Sequence, residues 1–546
     1  MGAGTRRLFG KASVTRQLQR TLTGWRITWR ILRRFTPSLL VFTPSMLSND
    51  HSALRLSKSR FMAGVQCLKR LYFQVHHPEL AAQPDETALA SLRQGQEVGE
   101  LAREAFPGGV LVNADKLNLP EAVERTSQLV ADGEVKTIFE GTFKQDDIVV
   151  RTDILARKPR GGWRLVEVKA STDIKAHHPS DVAIQQYVLN ASLLEIEPSL
   201  MHVNRGYVYD GREYDLEMLF TIRDMGSEVE KLQAKLPEMI RQQRVVLSRP
   251  DPPEIAPGRH CEDPIRCEFY DHCNPELPDD HVQLLPAISA TRLNQLAARG
   301  ITSIHEIPAD FPLSTRQRRA CHCVQTAAPW FDEGLKEAIG QLEYPLRFMD
   351  FETVNPALPR FPGMRPYDPI PFQWSVHTRE TADDPPEHHE FLAEDESDPR
   401  LLFLNSLLGI IGRDGHIVVY NRTFESQRLE ELARWIPEYA GRIGQIQARL
   451  WDLLEAVKKN VYHPRFRGSF SLKRVLPALI PELTYDRMCV ADGEEAGLAW
   501  EKMIRGQVSE QEKARLRKAL LDYCSLDTLA MVRLLDYLTN AATTGT

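Results

Sequence analysis

Apolar and polar positions take up a regular period near Leu54, and the period changes several times along the chain. Helical spacing from Ser57 to about Val75 predicts a first helix, and Glu86 to Phe106 a second, closed by Pro107-Gly108-Gly109. Between 138 and 169 the pattern shortens to that of strands. Ile148-Val149-Val150 and Ile154-Leu155 lead to a turn at Pro159-Arg160-Gly161-Gly162, and Trp163 to Lys169 follows. Further helices are predicted from Ser180 to about Leu194 and from Asp224 to Arg244. Residues 250–286 are rich in Pro and Cys and read as a compact, loop-like module. Residues 287–340 read as helical, with Leu293, Leu296 and Ala297 ahead of Gly300-Ile301. From Leu346 strand and helix patterns alternate, an α/β signature. Thr378 to Asp398, rich in acids and prolines, reads as an exposed loop or hairpin excursion.

Composition narrows this picture. The 546 residues suggest three or four domains, and 42% hydrophobic content suffices for globular cores. The net charge is -6, so any nucleic-acid surface must be local rather than a field of the whole chain. No apolar run approaches the ~20 residues of a membrane span. The first 50 residues hold nine Lys/Arg and one acid, Asp50. That is the balance of a mitochondrial transit peptide, of a basic tail, or of an extension ahead of a later start at Met46. Eight cysteines in so long a chain do not make a disulfide scaffold.

Candidate chemistry starts at the predicted hairpin. Glu167 and Lys169 share one strand face, Val166 and Val168 point the other way into a core, and the hairpin can bring Asp153 to the same face. Carboxylate oxygens suit Mg²⁺, and a neighbouring ammonium can orient water or steady charge on a phosphate. Asp153, Glu167 and Lys169 resemble the Asp…Glu-x-Lys core of the PD-(D/E)xK nucleases. Gln185 and Tyr187, with Asp181 on the same helix, are similar to the Gln/Tyr motif of RecB-like members. Those enzymes often carry a metal-binding His on the preceding helix. Here that position is Gly99, so the resemblance implies Glu97 or Glu100 as a third ligand.

Cys261, Cys267 and Cys273 fall at six-residue intervals, a density that points to a metal, and a fourth ligand is needed. Cys67 is the candidate. Its segment, Ser57 to Arg70, resembles the N-terminal cysteine helix of iron–sulfur RecB-like nucleases, in which one cysteine precedes the core and three follow it. Four thiolates suit [4Fe–4S] or Zn²⁺, and the lack of a C-x₂-C pair, with the resemblance, favours the cluster. His260 and His272 are alternative zinc ligands.

A second acidic set lies further on. Asp350 and Glu352 share a strand face with Phe348, while Met349 and Phe351 face away. Two carboxylates about 7 Å apart repel by roughly 2 kcal/mol at an effective dielectric of 20, which a cation would offset. Ile417 to Glu425 reads as a strand leading into a helix, and Tyr523 and Asp527 share a helix face. Asp350-x-Glu352, Asn421-x-x-Phe-Glu425 and Tyr523-x-x-x-Asp527 resemble, in order, the three motifs of the DnaQ-like DEDD exonucleases, with Glu425 where Asp is usual. That resemblance implies two metals held by Asp350, Glu352, Glu425 and Asp527, and Tyr523 orienting water. Between motifs, the basic, aromatic run His463 to Arg474 could grip phosphates, or be a plain solvated loop.

The whole arrangement resembles a bacterial domain-of-unknown-function family, DUF2779, over about residues 54–540. The expected fold is α/β: a restriction-endonuclease-like (RecB-like) domain and a ribonuclease-H-like (DnaQ-like) domain joined by a helical linker. The expected boundaries are 1–52 basic extension, 53–280 RecB-like, 281–342 linker and 343–546 DnaQ-like. The resemblance implies a bacterial cytoplasmic nuclease using Mg²⁺ or Mn²⁺ and a [4Fe–4S] cluster, with single-stranded or terminal DNA or RNA as partner and no membrane. The alternative is a nucleic-acid-binding iron–sulfur protein with one or both sites silent.

Overall fold

The computed structural model describes residues 55–113, 116–193, 195–274, 276–485, 488–506 and 508–544; the expected extension at 1–52 lies outside them. The chain is mixed α/β. Fourteen strands are described: β1 Leu56–Ser57, β2 Val110–Leu111, β3 Thr137–Gln145, β4 Ile148–Arg157, β5 Trp163–Lys169, β6 Ile196–Val203, β7 Phe220–Asp224, β8 Trp330–Phe331, β9 Leu346–Val354, β10 Ile370–Arg379, β11 Glu387–Leu392, β12 Ile417–Val419, β13 Leu450–Asp452 and β14 Val461–Tyr462. Among the described residues, no helix is long and apolar enough to cross a membrane.

The first sheet runs β2-β3-β4-β5-β6-β7, with β1 parallel to β4. Alternation along β5 sorts its side chains. Leu165 joins a core with Val182, Ala183 and Ile184 of the helix His178–Leu189. Val166 joins a core on the other face with Val98 and Ala102 of the helix Glu86–Glu104. The second sheet runs β11-β10-β9-β12-β13, with β12 and β13 parallel to β9 and β10 antiparallel to it. Phe348 packs in one core, Met349 and Phe351 in the opposite one, as period-two alternation requires.

Several boundaries differ from the sequence pattern. The predicted first helix is two, Lys58–Gln66 and Leu68–His76, interrupted by extended backbone at Cys67. The polar helix is also two, Gly226–Gln233 and Leu236–Leu247, the second opening at Pro237, which cannot donate to a preceding turn. The acidic excursion is the β10–β11 hairpin. Residues 281–342 do more than link. Leu296, Phe311 and Ala320 lie in the same core as Phe348, and β8 pairs with β14.

The segment after β9 ties the two sheets together. Ala357 is buried in the core of Val166 and Met201. Tyr209 N–H donates to Met364 O at 2.9 Å, Gly363 N–H to Tyr209 O at 2.8 Å, and Tyr367 Oη to the carbonyl of Ala170. The strand bearing Asp350 is thereby anchored beside the residue that follows Lys169.

Candidate functional site

At the first acidic set, the β4–β5 ladder pairs Ile154 with Val166 and then gives way to a side chain. Asp153 Oδ2 accepts from the Val168 N–H at 2.7 Å, which aims this carboxylate at Glu167. Glu167 is 1% exposed. Its Oε1 accepts from Lys169 Nζ at 2.7 Å and Lys58 Nζ at 2.9 Å; its Oε2 accepts from Gln185 Nε2 at 2.7 Å and Lys58 Nζ at 3.1 Å. Asp181 completes the set, 2.5 Å from Lys169 Nζ and 3.5 Å from Lys58 Nζ. Burial, together with the Glu167 charge, pushes Asp153 up to about 7. Burial would raise Glu167 as well, but the Lys169 and Lys58 ammoniums outweigh it and hold the carboxyl well below its usual range.

Two expected members are elsewhere. Glu97 is not beside Glu167: its helix packs Val98 and Ala102 on the opposite face of the sheet, and Glu97 pairs with Arg505 at 3.7 Å. The third acid is Asp181, one turn before Gln185. Tyr187 also faces away, lining a groove with Ile240, Arg241 and Arg244, because two residues along a helix rotate a side chain far from Gln185. The spacing did not reveal Lys58, which enters from the first helix.

The four cysteines line one small cavity with Phe73, Phe269 and Tyr270. Cys67, at the break between two helices, meets the segment 259–273 there. Gln66 Nε2 donates to His260 O at 2.7 Å and Ile265 O at 2.8 Å, and Arg70 pairs with Glu268 at 2.8 Å. Burial pushes the Cys267 thiol up to about 11 and raises Cys273.

The second acidic set converges from three elements. Asp350 and Glu352 come from β9, Glu425 from the helix Arg422–Trp435, and Asp527 from the helix Glu510–Thr544. Asp350, Glu352 and Cys524 bring ligand atoms within 4.8 Å of one another. Burial raises all four carboxyls, Asp527 to about 6. The charge of Asp527 adds to the rise at Asp350, and that of Asp350 to the rise at Glu352 and Glu425. Glu425 Oε2 is buried with no hydrogen-bond partner, a costly arrangement for a carboxylate.

Tyr485 and Cys524, which the sequence did not single out, shape this site together with Tyr523 and Lys473, which it did. Tyr485 Oη donates to Asp527 Oδ1 at 2.5 Å, and Tyr523, 4% exposed, also lowers Asp527 by hydrogen bonding. Both phenols are raised by burial and by the Asp527 charge, so they hold their protons and act as donors. Cys524, beside Tyr523, donates to Asp350 Oδ2 at 3.9 Å. Lys473, from the basic run, lies 5.3 Å from the Tyr523 ring centroid and favours charge on Asp350, Glu352 and Asp527. Arg467 turns elsewhere, donating to Leu277 O at 2.8 Å.

Asp452 sets the position of Glu425. Asn421 takes a left-handed conformation, φ 99°, between β12 and its helix, and Asn tolerates this better than most residues. The Asp452 carboxylate accepts from the Asn421 N–H at 3.3 Å, the Arg422 N–H at 3.1 Å and the Glu455 N–H at 3.3 Å. One side chain thus caps two helices. Asp452→Ala is expected to cost about 2 kcal/mol, at roughly 1 kcal/mol per cap, read as a lower denaturation midpoint. Asp452→Asn should keep most of that stability.

Residues 347–471, which include Asp350, Glu352 and Glu425, match the family model for a domain of unknown function (DUF2779). Uncharacterized protein UU173 of Ureaplasma parvum serovar 3 is 26% identical over 138 residues, 22% of this chain. The match spans about a fifth of that relative, 20% of its length. The crystal structure of SSO0001 aligns over 48% of this chain and 98% of its own, with 12% identity and a TM-score of 0.19.

Proposed function

We propose that the chain is a metal-dependent nuclease with two sites, a RecB-like one at Asp153, Glu167 and Lys169 and a DnaQ-like one at Asp350, Glu352, Glu425 and Asp527. One observation carries this reading: buried Glu352, Glu425 and Asp527 gather with half-buried Asp350, all four carboxyls raised, with Glu425 Oε2 unpaired. Such a cluster is unfavourable by itself and suits hard divalent cations such as Mg²⁺ or Mn²⁺. When bound, such ions activate water and stabilise a leaving oxygen. The protein's own part is positional. Asp452 fixes Glu425; Tyr485 and Tyr523 hold Asp527 by donating to it; Lys473 offers a cation at the rim to a phosphate oxygen. Cys524 keeps its proton, since burial and the Asp350 charge raise it, so it serves as a donor to Asp350. Nucleic acid is the substrate class that this chemistry and the sequence resemblance favour together.

The four-cysteine cavity supports a bound [4Fe–4S] cluster. Four thiolates suit a [4Fe–4S] cluster or Zn²⁺, and the sequence resemblance favours the cluster. End-labelled DNA and RNA incubated with the anaerobically purified protein test the function. Cleavage in Mg²⁺ or Mn²⁺ but not in EDTA is expected, with Lys169→Ala and Asp350→Ala each removing a different product pattern. Binding without cleavage under every metal condition would instead support a nucleic-acid-binding protein. The filled lone pairs of Glu167 favour that second reading for the first site.

A further inference from the structure

Glu167 accepts four hydrogen bonds, two at each oxygen. An ionised carboxylate offers about four lone-pair sites, so none is left for a metal ion in this arrangement. Lys58 takes two of the four. It is also the one of these donors that comes from outside β5 and the helix His178–Leu189. It sits in the first turn of Lys58–Gln66, with Ser57 capping that helix and pairing with Val149. Its side chain is 24% exposed and reaches the carboxylates through four methylenes, so its ammonium can swing to solvent without moving the backbone.

We propose that Lys58 is a built-in competitor for the divalent cation of the first site, holding Glu167 and Asp181 until a metal ion displaces it. The inference rests on the nuclease reading of that site. Lys58 and Lys169 together place two positive charges against Asp153, Glu167 and Asp181. With Lys58 in place the set has little negative charge left to attract a dication; with Lys58 out, the Glu167 lone pairs and one more unit of negative charge become available. Apparent metal affinity is then reduced by the fraction of molecules in which Lys58 is out. The displaced ammonium stays tethered at the mouth of the site, where a phosphate can take it up. Metal and substrate phosphate therefore favour each other's binding, by linkage.

The test is Mn²⁺ binding to the full chain, followed by electron paramagnetic resonance, with Asp350→Asn present throughout to weaken the second site. Binding that Glu167→Gln abolishes is assigned to the first site. Lys58→Met should tighten that binding by about tenfold or more, and Lys58→Arg, which keeps the charge, should leave it near the starting affinity. A merely structural role for Lys58 predicts the opposite sign, since a damaged site binds more weakly. Equal or weaker Mn²⁺ binding in Lys58→Met, with Glu167-dependent binding intact in the parent, overturns the competitor proposal alone. No Glu167-dependent Mn²⁺ in any variant overturns both this proposal and the metal-nuclease reading of the first site.

Discussion

Asp350→Asn is expected to lower cleavage at the second site by roughly a thousandfold or more, the scale on which removing one preorganised electrostatic contributor acts. The same change should stabilise the metal-free protein. Burial and the Asp527 charge push Asp350 above its usual range, so its ionised form is unfavourable in the folded state. Asparagine keeps the shape and removes the charge. A rise in Tm of about 2–4 °C in EDTA corresponds to roughly 1 kcal/mol in a domain of this size. The sign with pH follows from linkage. A carboxyl whose folded pKa is raised gives stability that is present below its unfolded pKa and is lost as pH rises through the folded value. Asp527, at about 6, moves in the same direction. The stabilisation by Asp350→Asn should therefore be larger at pH 8 than at pH 6. His377, pushed down to about 4 by burial and its histidine neighbours, is common to both proteins and cancels in the comparison. Mn²⁺ should remove the advantage of the variant, since only the parent gains fully from the ion.

On the proposed [4Fe–4S] reading, Cys67→Ser is expected to lower the iron content and to lower Tm by several degrees. Free energy of binding at a site that does not persist in the unfolded chain is free energy of folding. Without a cluster, the Cys67 helices meet the segment 259–273 through a small core of Tyr72, Phe73, Val246 and Phe269 and a few polar clamps, among them Arg70–Glu268. Loosening this contact frees the helix Lys58–Gln66, which carries Lys58 into the first site. Cleavage there should change, while cleavage abolished by Asp350→Asn should persist. Visible absorbance, iron content and a thermal scan measure the effect together. Full iron content in Cys67→Ser would remove Cys67 from the ligand set.

Much of both sites was legible because strands obey a simple rule. Period two alone puts Glu167 opposite Val166, and Asp350 opposite Met349. Helical period put Tyr523 and Asp527 together for the same reason. What stayed hidden depends on long-range packing. Lys58 is 109 residues from Glu167, and no local pattern links them. Tyr485 reaches Asp527 from a loop with no motif of its own. Glu97 was expected from the resemblance alone, as an alternative to Glu100, and a motif position does not tell on which side of the sheet its helix docks. The Asp452 cap was open to inference, since an acid just ahead of a helix is a standard cap signal, but its hold on Asn421 and Arg422 depends on β12 and β13 lying side by side.

The double variant Lys169→Ala, Asp350→Ala, assayed on end-labelled single-stranded DNA and RNA in Mg²⁺ and in Mn²⁺, tests the two-site claim most directly. The expected result is cleavage by the parent, a distinct partial pattern from each single variant, and no metal-dependent product from the double variant, with its melting transition retained. Undiminished cleavage by a folded double variant would contradict the assignment of nuclease chemistry to these two carboxylate sets.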